Sequence, residues 1–281
     1  MNVKLLSMTQ NPLETMAYAA SRCYMSEPRV DIVKHCWESG HCSIAEHAYF
    51  TFEITGVSRS LLAQLTRHRL ASYSVTSQRY VDMKDYDMII PNEIDNSPAA
   101  KEIFNKAIDA TRDCYKELQE LDIKNEDARA VLPNACSTNL VMTINLRSLS
   151  NFMNERLCKK SQDEIRQLAK LMKEAILSED CWGDFKEYLD KRILVPKCEK
   201  NKVKFCPERK SCGRQKTAKE INEIISKSEE RAEWIYKWEN IYCSSCGGKF
   251  SPSLSNAKFC PNCGVKINEE GKINVCAGTD M

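Results

Sequence analysis

Residues 243 to 263 read CSSCGGKFSPSLSNAKFCPNC, two CxxC pairs separated by thirteen residues. No other stretch limits the chain's folding as tightly. Each pair bends a tight turn that aims two thiolates at one ion, and two such turns complete a tetrahedral set of four. Cys243, Cys246, Cys260 and Cys263 therefore predict a zinc ribbon. Two redox pairs fit less well, because neither CxxC sits in a strand–helix–strand setting. Four thiolates leave no coordination position for a substrate, so the zinc is structural and any chemistry belongs elsewhere.

Cysteine use sharpens that division. Of fifteen cysteines, seven are scattered through residues 1–197 and eight crowd into the last 84. In a reducing compartment such density favours metal over disulfides. Cys198, Cys206, Cys212 and Cys276 are candidates for a second metal site, which needs all four because no histidine follows His68. Unligated cysteines in a basic run are the alternative, since Lys197–Lys219 carries nine Lys or Arg against two Glu. HCWESGHC (35–42), followed by Glu46 and His47, offers ligand types without the spacing of a common metal site.

A chain of 281 residues can bury one sizeable core and add a small second module. Composition and spacing divide it into a main domain (1–196), a basic cysteine-containing linker and helix (197–240) and the ribbon (241–281). A net charge of only +2 gives no global field for nucleic acid, so any basic function is local. The start, MNVKLLSMTQNPLETMAYAA, lacks a basic stretch followed by an apolar run, and no run of about 18 apolar residues predicts a membrane helix. A cytoplasmic protein without membrane contact is expected.

Periodicity predicts strands at 3–7, 48–57 and 140–146, and helices at 12–24, 58–66, 98–121, 126–133, 149–157, 162–176 and 217–238. Residues 85–90 are a short apolar run of open type.

Between these elements lies RHRLASYSVTSQRY (67–80), with arginines at 67, 69 and 79 and hydroxyls at 72, 74, 76 and 77. Like charges this close repel unless an anion lies among them, and rigid guanidinium forks suit phosphate. A solvated loop or an RNA contact is the plainer reading. Against RNA, only Tyr73 and Tyr80 offer stacking faces, and the segment follows a largely apolar helix. The chemistry favours a phosphorylated small molecule.

Here the chain resembles the flavin-dependent thymidylate synthases, a family marked by RHRxxSxxExSxR. Arg67, His68, Arg69, Ser72, Ser77 and Arg79 stand in that register. GHCSIAEHAYFTFEI (40–54) is similar to the family's GHxSxxEHxxFTF, and Gln64 precedes the motif as in QxxRHR. EDARAVLP (126–133) resembles ExARxxLP, and NLRSLSNFMNER (145–156) resembles NxRSLxNFxxxR. The four-cysteine tail has no counterpart in the family's core.

The resemblance implies an α+β fold, a central antiparallel sheet flanked by helices, and a homotetramer with shared active sites. It implies methylation of dUMP to dTMP, with methylenetetrahydrofolate as carbon donor and NAD(P)H as reductant through FAD. Carried over by register, dUMP contacts Gln64, Arg67, Val75, Thr76, Ser77, Gln78, Arg79, Arg129 and Arg156. FAD contacts His41, Ser43, Arg67, His68, Arg69, Asn145, Arg147 and Asn151. Arg156 matches the arginine that activates the pyrimidine. Without the resemblance, Arg156 reads as a helix-surface charge and Asn145 and Asn151 as local caps. No GxGxxG follows a strand, so a Rossmann site for FAD is unsupported.

One departure matters: the family has Glu where this chain has Val75. Three consequences stand open. Turnover is slower, with the nucleotide held by backbone groups of 75–79; or the substrate is a related pyrimidine nucleotide such as dCMP or a modified dUMP; or the protein binds without turnover. In a competing class, a degenerate core and the basic tail bind nucleic acid or protein.

Overall fold

The structure is a computed structural model of the chain and describes residues 1–201, 204–227, 232–237, 240–243, 246, 248–250, 259–264 and 267–274. Two compact units, Met1–Pro196 and Lys197–Met281, each carry their own core.

In the first unit the order is β1 (Asn2–Met8), α1 (Pro12–Arg22), α2 (Asp31–Glu38), β2 (Tyr49–Ser58), α3 (Arg59–Leu65) and β3 (Ala71–Val75). Then come α4 (Asn92–Asp95), α5 (Pro98–Glu120), α6 (Asn125–Ala128), β4 (Ser137–Asn145), α7 (Leu146–Arg156), α8 (Asp163–Leu177) and α9 (Phe185–Tyr188). The four strands form one antiparallel sheet in the order β1-β2-β4-β3. The sheet with its helices is the expected α+β arrangement.

Alternation fixes its two faces. Phe50, Phe52 and Ile54 of β2 and Leu140, Met142 and Ile144 of β4 are buried against Leu149, Phe152 and Met153 of α7 and Leu168 and Met172 of α8. Lys4, Glu53, Ser72 and Ser74 on the other face are exposed. Burying a large apolar side chain contributes roughly 1.5–3 kcal/mol, so this face holds the unit together. A bulge interrupts β2 between Ile54 and Val57, where Gly56 adopts φ +65° and donates its N–H to Asn139 Oδ1 at 2.9 Å. The bulge returns Val57 to the core.

Several elements differ from expectation, α4, α9 and α10 (Lys197–Lys200) among them as short helices where none was assigned. Residues 71–75, to which no element was assigned, form β3, an edge strand whose Ala71, Tyr73 and Val75 pack on the core. Helix α2 lies where no element was expected. The helix expected at 217–238 is two elements: α11 (Ala218–Lys227) and, after it, strand β5 (Ala232–Lys237). The aromatic and β-branched run Trp234-Ile235-Tyr236 prefers a pleated partner, and β6 (Asn240–Cys243) supplies one. Trp238 lies outside the described residues.

The second unit opens with the short helix α10 (Lys197–Lys200). A capping box starts α11: Thr217 N–H and Oγ1 donate to Glu220 Oε2 at 2.6 and 2.8 Å, and Glu220 N–H returns to Thr217 Oγ1 at 3.2 Å. Strands β5, β6, β7 (Lys249–Phe250) and β8 (Ile267–Asn274) form a sheet in the order β7-β6-β5-β8. Ile241, Cys243, Cys260 and Ile267, with Phe250 beside them, make up its small core.

Candidate active site

Helix α3 ends at Leu65 and delivers Arg67-His68-Arg69 into the link to β3. Ser58 caps its start, accepting from Leu61 N–H at 2.9 Å, while Glu164 of α8 accepts from Ser58 N–H (2.7 Å) and Oγ (2.6 Å). Tyr73 ties the far end: its hydroxyl lies 3.0 Å from Leu65 O and 2.8 Å from His68 O. Burial pushes that phenol up to about 12, so it remains a donor.

Arg156, at the last turn of α7, reaches this link. Its Nε donates to His68 Nε2 at 3.0 Å and its Nη2 to Gln64 O at 3.3 Å, joining segments 88 and 92 positions apart. His68 packs edge-on against Phe152, with ring centres 4.9 Å apart. Burial, then repulsion from Arg156, lowers the His68 imidazole to about 4, so it is neutral at pH 7 and accepts from Arg156. Burial likewise lowers Arg156 from the usual guanidinium value, and a guanidinium still keeps its proton at pH 7. Gln64 donates to Ser60 O and to Gln162 Oε1. Arg67 and Arg69 are exposed, and their guanidinium groups make no hydrogen bond or ion pair to a described residue. Two cations that pair with no carboxylate of a described residue stand beside a third held by His68 and within electrostatic reach of Glu155, an arrangement that can receive an anion.

A second cationic group lies at the other end of β3. Thr76 is tied to β4 through Asn139 O, which accepts from its N–H (3.0 Å) and Oγ1 (3.1 Å). Arg59 Nη2 donates to Thr76 O at 2.6 Å. Ser77 Oγ accepts from Arg79 N–H at 3.2 Å, and Gln78 Nε2 lies 3.5 Å from Cys136 Sγ. Arg79 pairs with Glu126 at 2.5 Å, and Arg129 Nε donates to Glu126 O at 3.0 Å. Val75, Thr76, Ser77, Gln78, Arg79 and Arg129 are thus one neighbourhood, distinct from Gln64, Arg67 and Arg156. Between them along β3 stands Tyr73, whose hydroxyl meets Leu65 O and His68 O of the Arg-His-Arg link. Val75 packs its side chain on the core.

Asn145, Arg147 and Asn151 belong to α7. Asn145 is its N-cap, with Oδ1 accepting from Ser148 N–H at 2.8 Å. Seven residues of α7 are buried, whereas Arg147, Asn151 and Glu155 form an exposed stripe at four-residue spacing. Arg147 pairs with Glu46 of the 3-10 turn Cys42–His47, which brings exposed Ser43 and His41 to the start of α7. A polar strip along an otherwise buried helix suits an extended, polar ligand.

In the second unit Cys243, Cys246, Cys260 and Cys263 offer four sulfurs within 4.8 Å of one another, the only such group of three or more ligands among the described residues. The Cys243–Cys263 and Cys246–Cys260 sulfurs are 3.8 and 3.7 Å apart. Tetrahedral zinc at about 2.3 Å from each sulfur requires about 3.8 Å, so the set fits that ion. Cys198 and Cys206 are buried and Cys212 half-buried, but they do not gather in this way, and Cys276 lies outside the described residues. None of the described cysteines forms a disulfide. The ligand types of 35–42 likewise assemble no such group.

Sequence reasoning missed Arg59 and Gln162, and assigned no role to Glu126 or Glu46. Each becomes notable only through a partner far along the chain. No helix among the described residues is long and apolar enough to cross a membrane.

Comparison with known proteins identifies relatives of the first unit. The family model described as "Thymidylate synthase complementing protein" matches residues 4–179. A flavin-dependent thymidylate synthase of Clostridium tetani is 40% identical over 198 residues, covering 60% of this chain and 80% of the relative. One of Pyrococcus furiosus is 37% identical over 223 residues, covering 74% and 89%. Among solved structures, the flavin-dependent thymidylate synthase of Helicobacter pylori complexed with FAD and dUMP superposes with TM-score 0.53 at 31% identity, covering 65% of this chain and 97% of that one. The match spans more than half the chain and most of each relative, and the chain belongs to the flavin-dependent thymidylate synthase family.

Proposed function

We propose that this protein methylates dUMP to dTMP, taking the one-carbon unit from methylenetetrahydrofolate and reducing equivalents from NAD(P)H. The observation that carries the reading is the Arg156–His68 contact beside Arg67 and Arg69, whose guanidinium groups meet no partner among the described residues. FAD bound there would supply the redox chemistry that brings the reducing equivalents to the transferred carbon. Arg67, Arg69, the exposed stripe of α7 and the turn at His41–Ser43 suit its pyrophosphate and polar groups.

Arg156 does the electronic work on the pyrimidine. Nε and Nη2 are held by His68 and Gln64, while Nη1 makes no hydrogen bond to a described residue and remains for the ligand. A guanidinium fixed at the ring N3 and a neighbouring carbonyl favours the N3 anion and enriches C5 in electrons. No thiolate attack on the ring is needed.

Two cationic groups at opposite ends of one strand support a homotetramer with shared sites, in which one subunit's 75–79 run meets another's Arg67 and Arg156. Val75 turned to the core supports nucleotide binding through the backbone of an edge strand, whose outer N–H and C=O groups lack a strand partner. The same valine favours a second reading, a related pyrimidine nucleotide such as dCMP, since no carboxylate stands there to choose a ring edge. Zinc bound by the four cysteines holds the tail together. The protein acts in the cytoplasm. Incubating dUMP and dCMP side by side with methylenetetrahydrofolate, NADPH and the protein, and weighing the product by mass spectrometry, tests both readings. Methylation of dUMP is expected; methylation of dCMP alone selects the second, and no product from either rejects both.

A further inference from the structure

Residues 197–219 hold nine Lys or Arg against two Glu, a formal +7, while the rest of the chain, with 32 against 37 acids, comes to −5. The segment is folded rather than a loose run of charge. Asn201 Nδ2 donates to Lys197 O (3.2 Å) and Phe205 O (2.8 Å), and its Oδ1 accepts from Phe205 N–H (3.0 Å). Cys206 N–H donates to Lys216 O at 2.7 Å, so a single bridge at buried Cys206 and Thr217 closes the base of the loop 206–217. Near its tip Gly213, at φ +90°, donates its N–H to Ser211 Oγ at 3.0 Å. The base is buried and the charges stay outside: Lys204, Arg209 and Lys210 are exposed and form no ion pair with a described residue. Acids of the flanking chain are engaged elsewhere. Glu199 faces Arg214 at 3.5 Å, Glu223 faces Lys219 at 3.8 Å, and Glu220 caps α11 through Thr217.

Composition selects the partner. The loop reads CPERKSCGRQKT and holds no aliphatic or aromatic side chain. A membrane surface needs apolar groups to insert, and a protein interface needs an apolar centre. A nucleic acid asks for neither, because its phosphates take Lys, Arg, hydroxyls and backbone N–H groups, and released counterions drive the binding. The loop presents neither a helix nor a two-stranded ribbon to a major groove, which favours a single strand whose phosphates can follow the turn. We propose that the loop 206–217, together with Lys204, binds single-stranded nucleic acid through its phosphates without reading bases. This is a function additional to the methylation of a nucleotide and independent of it.

The test titrates a fluorescein-labelled thymidine oligonucleotide with full-length, zinc-loaded protein and reads anisotropy from about 0.05 to 0.2 M salt. Wild type should bind, with log K falling linearly in log salt. The triple variant Lys204→Gln, Arg209→Gln, Lys210→Gln should bind about 10- to 100-fold more weakly near 0.1 M salt, and its slope should flatten by about 2. Its dTMP formation, zinc content and thermal melting should match wild type, which separates this surface from the active site. Should the triple variant melt early, Arg209→Gln and Lys210→Gln alone should each flatten the slope by about 0.7. Wild type that leaves the oligonucleotide unbound overturns the proposal, as does a folded triple variant with wild-type affinity and slope. Poly-glutamate or anionic phosphatidylserine vesicles bound more tightly than the oligonucleotide also overturn it. Wild type that binds the oligonucleotide but forms no dTMP rejects only the methylation reading.

Discussion

Arg156 and His68 carry the most consequence per atom. Neutral His68 accepts from Arg156 and so locates the guanidinium. Arg156→Ala should cut dTMP formation by about 10²–10³-fold while flavin content stays near wild type; full activity in steady-state assays contradicts the role. The His68 shift also has a stability consequence. With its pKa lowered from 6.5 to about 4, the unfolded chain takes up a proton that the folded one refuses between those values. Stability contributed by neutral His68 is therefore complete above pH 6.5 and lost as pH falls toward 4. Urea unfolding at pH 7 and pH 5 should give a larger drop for wild type than for His68→Gln, and equal drops contradict it. At this scale the Arg-His-Arg cations were legible because their charge crowding needs a reason. Arg156 was not legible by chemistry alone: one arginine at a helix end looks like surface charge, and its partner stands 88 positions earlier.

At the scale of elements, β2, β4 and α8 could be read because one face of each is buried and their periods are clean. The 71–75 strand was hidden by its brevity: Ser72 and Ser74 are exposed, and the inward set Ala71, Tyr73, Val75 is too short to announce a period of two. The error at 232–237 has the opposite cause, a strand that forms only because β6 pairs with it. Two devices set the geometry of the site. Asn145 caps α7, and its replacement by Ala should lower stability by about 1 kcal/mol in chemical denaturation. Loss of that cap also unsettles Arg147, so flavin affinity should fall with it; unaltered stability and flavin affinity contradict the role. Gly56 holds the bulge at φ +65°, where an added Cβ meets Met1 N at 3.3 Å. Gly56→Ala should cost about 1–3 kcal/mol, read as a lower melting temperature, and an unchanged melt rules out the strain.

The whole molecule joins an enzyme core to a small unit in which the core among the described residues is Ile241, Cys243, Cys260 and Ile267, two of them candidate zinc ligands, so metal and core packing belong together there. Cys243→Ser together with Cys260→Ser should reduce bound zinc from about one per chain to near none, by elemental analysis, and expose the tail to protease. Retained zinc contradicts the four-thiolate site. In the larger unit, the proposed function requires the cations to hold a flavin and a nucleotide and join them in one reaction. Anaerobic flavin reoxidation tests this most directly. Protein purified with its flavin is reduced with NADPH, and absorbance near 450 nm is followed after adding methylenetetrahydrofolate, dUMP or both. Recovery only when both are present, with dTMP formed in step, is the predicted result; a colourless protein, or reoxidation indifferent to dUMP, contradicts it.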